Sequence, residues 1–240
     1  MLIKTRGIVF RTKKYAETSV ITDVFTEEKG MRSYLISGVR TQKAKVSAGL
    51  LQVMSLVDIV AYHRDEQDLT RVKEIKAHHV YNSIPFDVRK GAVGMFMIEI
   101  ARKTIQGHEA WPELFQFLLN NFIFLDSTHQ FNNVHLHFMV SLTEYLGFLP
   151  GGAYSAGTPF FDLSEGIFYK NQPAHPHWLT PDLGNKLNQF LHLPLGECHK
   201  VSIDRMERRS LLKGLLVFYS LHIDNFPEIH SHRILEEVLS

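Results

Sequence analysis

Tyr15-Ala-Glu-Thr-Ser-Val-Ile-Thr-Asp-Val-Phe-Thr-Glu-Glu-Lys-Gly30 decides how the first third of this chain is read. Its middle, Val20 to Phe25, is a short run rich in β-branched and aromatic residues, the composition of a strand. Glu27-Glu28-Lys29-Gly30 then reads as a hairpin turn, with glycine supplying a backbone geometry other residues avoid. Working outward, Ile8-Val9-Phe10 precedes this unit, and Tyr34-Leu35-Ile36, Val53 to Tyr62 and Leu69 to Val80 follow it. Apolar residues alternate at Met31, Leu35 and Val39, and again at Val53, Val57, Ile59 and Ala61, as on a half-buried strand. Five short strands in about 80 residues suit a small barrel of the OB type.

The period changes after Pro85. Ala92, Met95, Phe96, Ile98, Ile100 and Thr104 follow helical spacing, and this helix ends near Gly107. Trp111-Pro112-Glu113 opens a second helix, with proline tolerated in the first turn. A third runs from about Asn132 to Leu146 and stops at Gly147. Residues 148–180 are rich in Pro, Gly, Ser and Thr and read as an irregular insertion, within which Phe160-Phe161 and Ile167-Phe168-Tyr169 can pair as a hairpin. Helical pattern returns at Pro181 to Leu191 and from Ile203 to Ile223, the latter with Ser202 as N-cap. A short helix closes the chain from Ser231. The expected fold is α+β in two parts: an OB-fold β-barrel at residues 1–80, then an α-helical domain at residues 81–240 with an insertion at 148–180.

Composition excludes several classes. A single cysteine, Cys198, permits no internal disulfide and no four-cysteine zinc site, and one unpaired thiol fits a reducing compartment. The opening Met1-Leu-Ile-Lys-Thr-Arg lacks the unbroken apolar stretch of a signal peptide, and no run approaches a membrane span. A cytoplasmic protein with no membrane partner is expected. The net charge of +1 conceals an asymmetry: residues 1–80 hold 14 Lys+Arg against 9 Asp+Glu, the remainder 12 against 16. A basic first third on an acidic remainder suggests two units with different partners.

From Lys29 to Lys45 there are five basic residues, Lys29, Arg32, Arg40, Lys43 and Lys45, and no acidic one. Lys4, Arg6, Arg11, Lys13 and Lys14 form another group on and after the first strand. Arg6 is even-numbered where Arg11 and Lys13 are odd, so a regular strand points them to opposite faces. Cations on a barrel track a phosphate backbone with salt-dependent affinity. Arg40 to Lys45 is the best candidate for a phosphate-contacting loop, and Tyr34 is the expected base-stacking aromatic. A basic stripe at Arg205, Arg208, Arg209 and Lys213 suggests a second contact, for DNA or an acidic peptide. The alternative for all these charges is a solvated protein face.

Other constellations carry less. His175/His177, His135/His137 and His230/His232 each place two imidazoles two residues apart, but no adjacent acidic or cysteine cluster completes a metal set. Gly151-Gly-Ala-Tyr-Ser-Ala-Gly157 lacks the glycine two before the serine that a nucleophile elbow needs, and lacks the ending of a phosphate loop. No catalytic residue, metal site or cofactor is expected. Phe115, Phe117, Leu118, Phe122, Phe124 and Leu125 make one helix strongly aromatic, as the core of a helical domain or as a groove for a partner peptide.

With Gly7-Ile-Val-Phe-Arg11 before it, the opening stretch resembles the start of the RecO family: a strand ending in arginine, a Glu-Thr-Ser turn, and a strand closing in Phe-Thr-Glu-Glu-x-Gly. Ser37-Gly38-Val39-Arg40 resembles that family's basic segment, and Gly49-Leu-Leu-Gln-Val53 its following turn with valine in place of proline. Phe218 to Leu235, with Ser231-His232-Arg233-Ile234-Leu235, is similar to its C-terminal end. The resemblance implies a non-enzymatic recombination mediator in DNA repair, at the nucleoid. Such a protein binds single- and double-stranded DNA and anneals strands. With RecR it assists RecA loading onto DNA coated with single-strand-binding protein, whose acidic C-terminal tail the helical domain would take. Many members carry a four-cysteine zinc knuckle at the insertion; residues 148–180 hold no cysteine, so zinc is not expected here. A general OB-fold RNA- or DNA-binding module without mediator activity is one alternative, and an enzyme using the 148–180 loop with a metal at His175 and His177 is the other.

Overall fold

The computed structural model describes residues 1–39, 46–62, 69–105 and 107–239. Two compact units emerge, one of residues 1–86 and 105–127, the other of 87–104 and 128–240. Strands β1 (Leu2–Lys14), β2 (Val20–Thr26), β3 (Gly30–Ile36), β4 (Leu56–Tyr62) and β5 (Leu69–His79) close a barrel in the order β1-β2-β3-β5-β4. All neighbours are antiparallel except β3 and β5, which pair in parallel through Tyr34 and Thr70. This is the OB arrangement.

The barrel interior is filled by Val9, Val24, Tyr34, Ile36, Val57, Ile59 and Ile75. Yet Ile8, Val9 and Phe10 are all buried in succession, which strict alternation forbids for a strand with one wet face. The first helix after the barrel, α1 (Val88–Thr104), belongs to the second unit, whereas α2 (Pro112–Ser127) packs against the barrel's outside. Phe10 meets Phe25 with ring centroids 5.8 Å apart, and Phe25 meets Phe115 of α2 at 6.1 Å. Phe115, Leu118, Phe122 and Leu125 are fully buried, so the aromatic stripe of this helix is core rather than an open groove.

Two local devices fix the barrel's surroundings. Gly30 takes φ +62°, and a Cβ there would lie 2.1 Å from the Glu109 carbonyl oxygen, so only glycine fits the turn. The Asp126 carboxylate, near the end of α2, accepts backbone N–H groups from Asn82 (2.9 Å), Ser83 (2.8 Å) and Ile84 (3.0 Å), with the His79 Nε2 at 3.3 Å. Burial opposes ionisation there, but these donors outweigh it and hold the carboxyl at about 2.

The second unit gathers α1, α3 (Val134–Leu146), α4 (Pro181–His192), α5 (Arg205–His222) and α6 (Ser231–Val238). Helix α3 ends at Gly147 in the left-handed conformation, as its sequence suggests. Helix α5 starts later than its pattern implies: its N-cap is Asp204, not Ser202, with Glu207 completing a capping box. Glu99 of α1 accepts the amides of His230 and Ser231 at the start of α6 and pairs with Lys103 at 2.7 Å. Burial would raise its pKa, but Lys103 and these hydrogen bonds win, leaving it at about 2.

The insertion holds the expected hairpin, β6 (Phe160–Asp162) with β7 (Ile167–Tyr169), and a third strand, β8 (Trp178–Leu179), on the other side of β6. Aromatic packing organises it. Phe161 lies 4.9 Å from Phe168 and 5.7 Å from Phe218 of α5, which also meets Phe148 at 5.4 Å and His222 at 4.4 Å.

Candidate nucleic-acid interface and apolar pocket

The cations of β1 do not divide as their numbering suggests. A bulge between Val9 and Arg11 inserts one residue, so Arg6, Arg11 and Lys13 all project from the outer face. The first two are engaged. Arg6 donates through Nε to Glu27 Oε2 at 2.7 Å, reaches Gln116 Oε1 at 3.1 Å, and lies over the Phe115 ring at 5.4 Å. The pair holds the guanidinium charged and the Glu27 carboxyl below its usual range. Arg11 binds Asp23 Oδ2 at 2.8 Å, and Asp23 in turn accepts from Ser33 at 2.7 Å. Arg6 therefore serves the contact between barrel and α2 rather than an open groove.

Tyr34 is a correction. Its side chain shares the inward face of β3 with Ile36 and is 3% exposed, so it is barrel core and cannot stack on a base. Burial pushes its phenol up to about 12, against the opposing influence of the Arg32 charge and a hydrogen bond with Thr26. Arg32, on the same inward-facing register, keeps its Nε buried while Nη1 donates to the Met31 carbonyl at 3.3 Å. Lys13 and Lys14 are exposed and lead into Tyr15, and Lys29 is partly exposed in the turn before β3. Arg40, Lys43 and Lys45 lie outside the described residues.

In the helical unit, Arg205, Arg208 and Arg209 converge on the rim of a pocket of about 150 Å³. Its apolar lining comes from Met206 and Leu212 of α5 and from Leu235 and Leu239 at the chain's end, with His135 of α3 and Glu236. Arg209 is neutralised by Glu236 at 2.7 Å. Arg208 is not: it donates to the Asn133 side chain at 3.3 Å and the Ile203 carbonyl at 3.1 Å, with no carboxylate in ion-pair range among the described residues. Burial lowers its pKa, countered by the field of Asp204. A half-buried guanidinium beside apolar side chains, with no carboxylate pair among the described residues, has the chemistry that an acidic ligand with an apolar end would need. Lys213 is exposed and does not line this pocket. The arginine spacing reveals the rim in the sequence. The lining residues of α6 are missed because eight residues are too few to display a periodicity.

The histidine pairs have structural occupations. His135 is buried edge-on against Phe96, and burial with the Arg208 charge pulls its pKa down to about 3. His137 Nε2 lies 2.9 Å from the Leu193 carbonyl. His175 Nε2 is 3.0 Å from Asp162, and its Nδ1 accepts the His177 amide at 3.2 Å. Among the described residues no three His, Cys, Asp or Glu side chains group as a metal site, and no helix is long and apolar enough to cross a membrane.

A closed OB-type barrel followed by a helical unit with an arginine-rimmed pocket is an architecture that fits a nucleic-acid-binding class of protein. Comparison with known proteins gives the particular family. Residues 1–81 match the model described as Recombination protein O N terminal, and residues 85–231 match Recombination protein O C terminal. The DNA repair protein RecO of Phocaeicola vulgatus is 31% identical over the whole of both chains. Those of Bacteroides fragilis and Flavobacterium psychrophilum are each 33% identical, over 99% and 100% of both chains. The chain belongs to the RecO family of DNA repair and recombination proteins.

Proposed function

We propose that this protein is a recombination mediator that acts by binding and handover, with no bond made or broken. The barrel takes single- and double-stranded DNA and supports strand annealing, and with RecR the protein assists RecA loading onto DNA coated with single-strand-binding protein. The pocket rimmed by Arg205, Arg208 and Arg209 takes that protein's acidic C-terminal tail. Arg208, with no carboxylate in ion-pair range among the described residues and lying beside Met206, Leu212 and Leu235, is the observation that supports this reading most. Lys13, Lys14, Lys29, Arg40, Lys43 and Lys45 are the proposed phosphate contacts, and the working location is the bacterial cytoplasm at the nucleoid.

The test is titration of naked single-stranded DNA and the same strand coated with single-strand-binding protein. Wild type should engage both, and Arg208→Ala should lose the coated strand while keeping the naked one. Loss of coated-strand binding by wild type would leave only a general OB-fold RNA- or DNA-binding module. Charge reversal at Arg40, Lys43 and Lys45 together should weaken naked-strand binding and flatten its salt dependence. Unchanged affinity and slope would place the phosphate contacts elsewhere.

A further inference from the structure

We propose that Tyr62, on the open outer face of β1, β4 and β5, is the stacking platform for bases of a bound single strand. The inference rests on the nucleic-acid reading above and assigns the surface that performs it. The strands of the barrel carry four described aromatics, and Phe10, Phe25 and Tyr34 are buried. Tyr62 is 53% exposed. Its orientation follows from register: Val57, Ile59 and Ala61 point into the barrel, so Asp58, Val60 and Tyr62 point out.

The neighbours across the sheet are suited to the same ligand. Tyr62 stands opposite Leu2 of β1 on one side and Arg71 of β5 on the other. Lys4 lies two residues further along β1, opposite Val60, and Lys73 is exposed on β5 beyond Arg71. Cross-strand and diagonal neighbours on one sheet face lie within about 4.5–8 Å, inside the reach of a nucleotide's base and phosphate. Lys4, Arg71 and Lys73 form no ion pair among the described residues. At the other end of the same face, Asp58 holds Lys76 at 3.7 Å and His78 at 3.0 Å, and Glu74, opposite Val60, bounds the cationic end.

The face around β2 and β3, where barrels of this type commonly bind oligonucleotides, is occupied. Phe25 lies beneath Phe115, Asp23 is tied to Arg11 and Ser33, and the Met31 carbonyl is 2.8 Å from His108 Nδ1. Of the strand aromatics, the one that is exposed, flanked by cations that form no ion pair among the described residues, is Tyr62 on β4.

Fluorescence anisotropy with a labelled oligothymidine tests this on the full chain. Tyr62→Ala should weaken single-strand binding roughly 5- to 160-fold, the range for losing one stacked base. Tyr62→Phe should stay within about twofold of wild type, and Arg71→Ala should reduce the salt slope by about 0.7. Duplex binding should change much less in Tyr62→Ala, because paired bases are not free to stack. An oligonucleotide carrying 5-iodouracil should crosslink to Tyr62 on irradiation, with unchanged thermal melting of the variants showing that they fold. A wild-type protein that binds no oligonucleotide would overturn the nucleic-acid reading itself. Wild-type binding that Tyr62→Ala leaves intact, an equal loss in Tyr62→Phe, or equal losses on single strand and duplex would overturn the stacking role alone.

Discussion

Arg6 and Arg11 project from the same outer face of β1, each neutralised by its own carboxylate, Glu27 for the first and Asp23 for the second. The two pairs differ in what surrounds them. Arg6 is fixed on three sides, by Glu27, Gln116 and the Phe115 ring, whereas the Arg11 side chain is 43% exposed. Arg6→Ala should therefore destabilise the fold by about 1–2 kcal/mol, and Arg11→Ala by about 0.5 kcal/mol or less. Urea denaturation measures both. Neither variant should change the salt slope of DNA binding, since neither guanidinium is free for a phosphate.

The turn at Gly30 should tolerate no side chain. With φ at +62° and the Glu109 carbonyl in the space of a Cβ, Gly30→Ala must move backbone rather than a flexible side chain. A cost of roughly 2–4 kcal/mol is expected, from positive-φ strain and forced displacement together. Thermal unfolding of the variant, with Gly38→Ala as a control where φ is +74° but a Cβ would meet nothing within 4 Å among the described residues, separates the steric share from the conformational one.

Asp126 and Glu99 should dominate the acid limb of stability. Both ionise more readily in the folded chain than in an unfolded one, at about 2 against an ordinary value near 4. Their contribution is then fully present above pH ~4 and is lost as the pH falls toward 2. Each is worth on the order of 2 kcal/mol, since both side chains are nearly buried. Equilibrium unfolding between pH 2 and 7 should show this loss, and Asp126→Asn or Glu99→Gln should be less stable at pH 7 with a flatter dependence below pH 4. An unchanged acid slope in both variants would assign the transition to other carboxylates.

The order of elements was legible from periodicity, because five short β-rich runs and the later helical spacings each report a local preference. Side-chain direction was less so. Tyr34 looked like a surface aromatic because Met31, Leu35 and Val39 supplied the visible alternation; on a barrel covered outside by α2, both strand faces carry apolar residues and the pattern no longer decides. The shared face of Arg6 and Arg11 depended on a bulge that has no marker in Val9-Phe10-Arg11. The pocket was half legible: three arginines at helical spacing announced its rim, while Leu235 and His135, far apart in the chain, become neighbours only on folding.

The insertion should owe its stability to aromatic packing. Phe218 is 1% exposed and touches Phe148, Phe161 and His222, linking α5 to the central strand of the small sheet. Removing its ring leaves a cavity bordered by other rings that are held on separate elements and cannot collapse into it. Phe218→Ala should cost about 3–5 kcal/mol, as large-to-small changes at aromatic core sites do. Limited proteolysis should then cut the variant within residues 148–180 faster than wild type. A chelator should leave the wild-type melting temperature unchanged, whereas a drop would show that a bound metal, and not the Phe161–Phe218 contact, holds this segment.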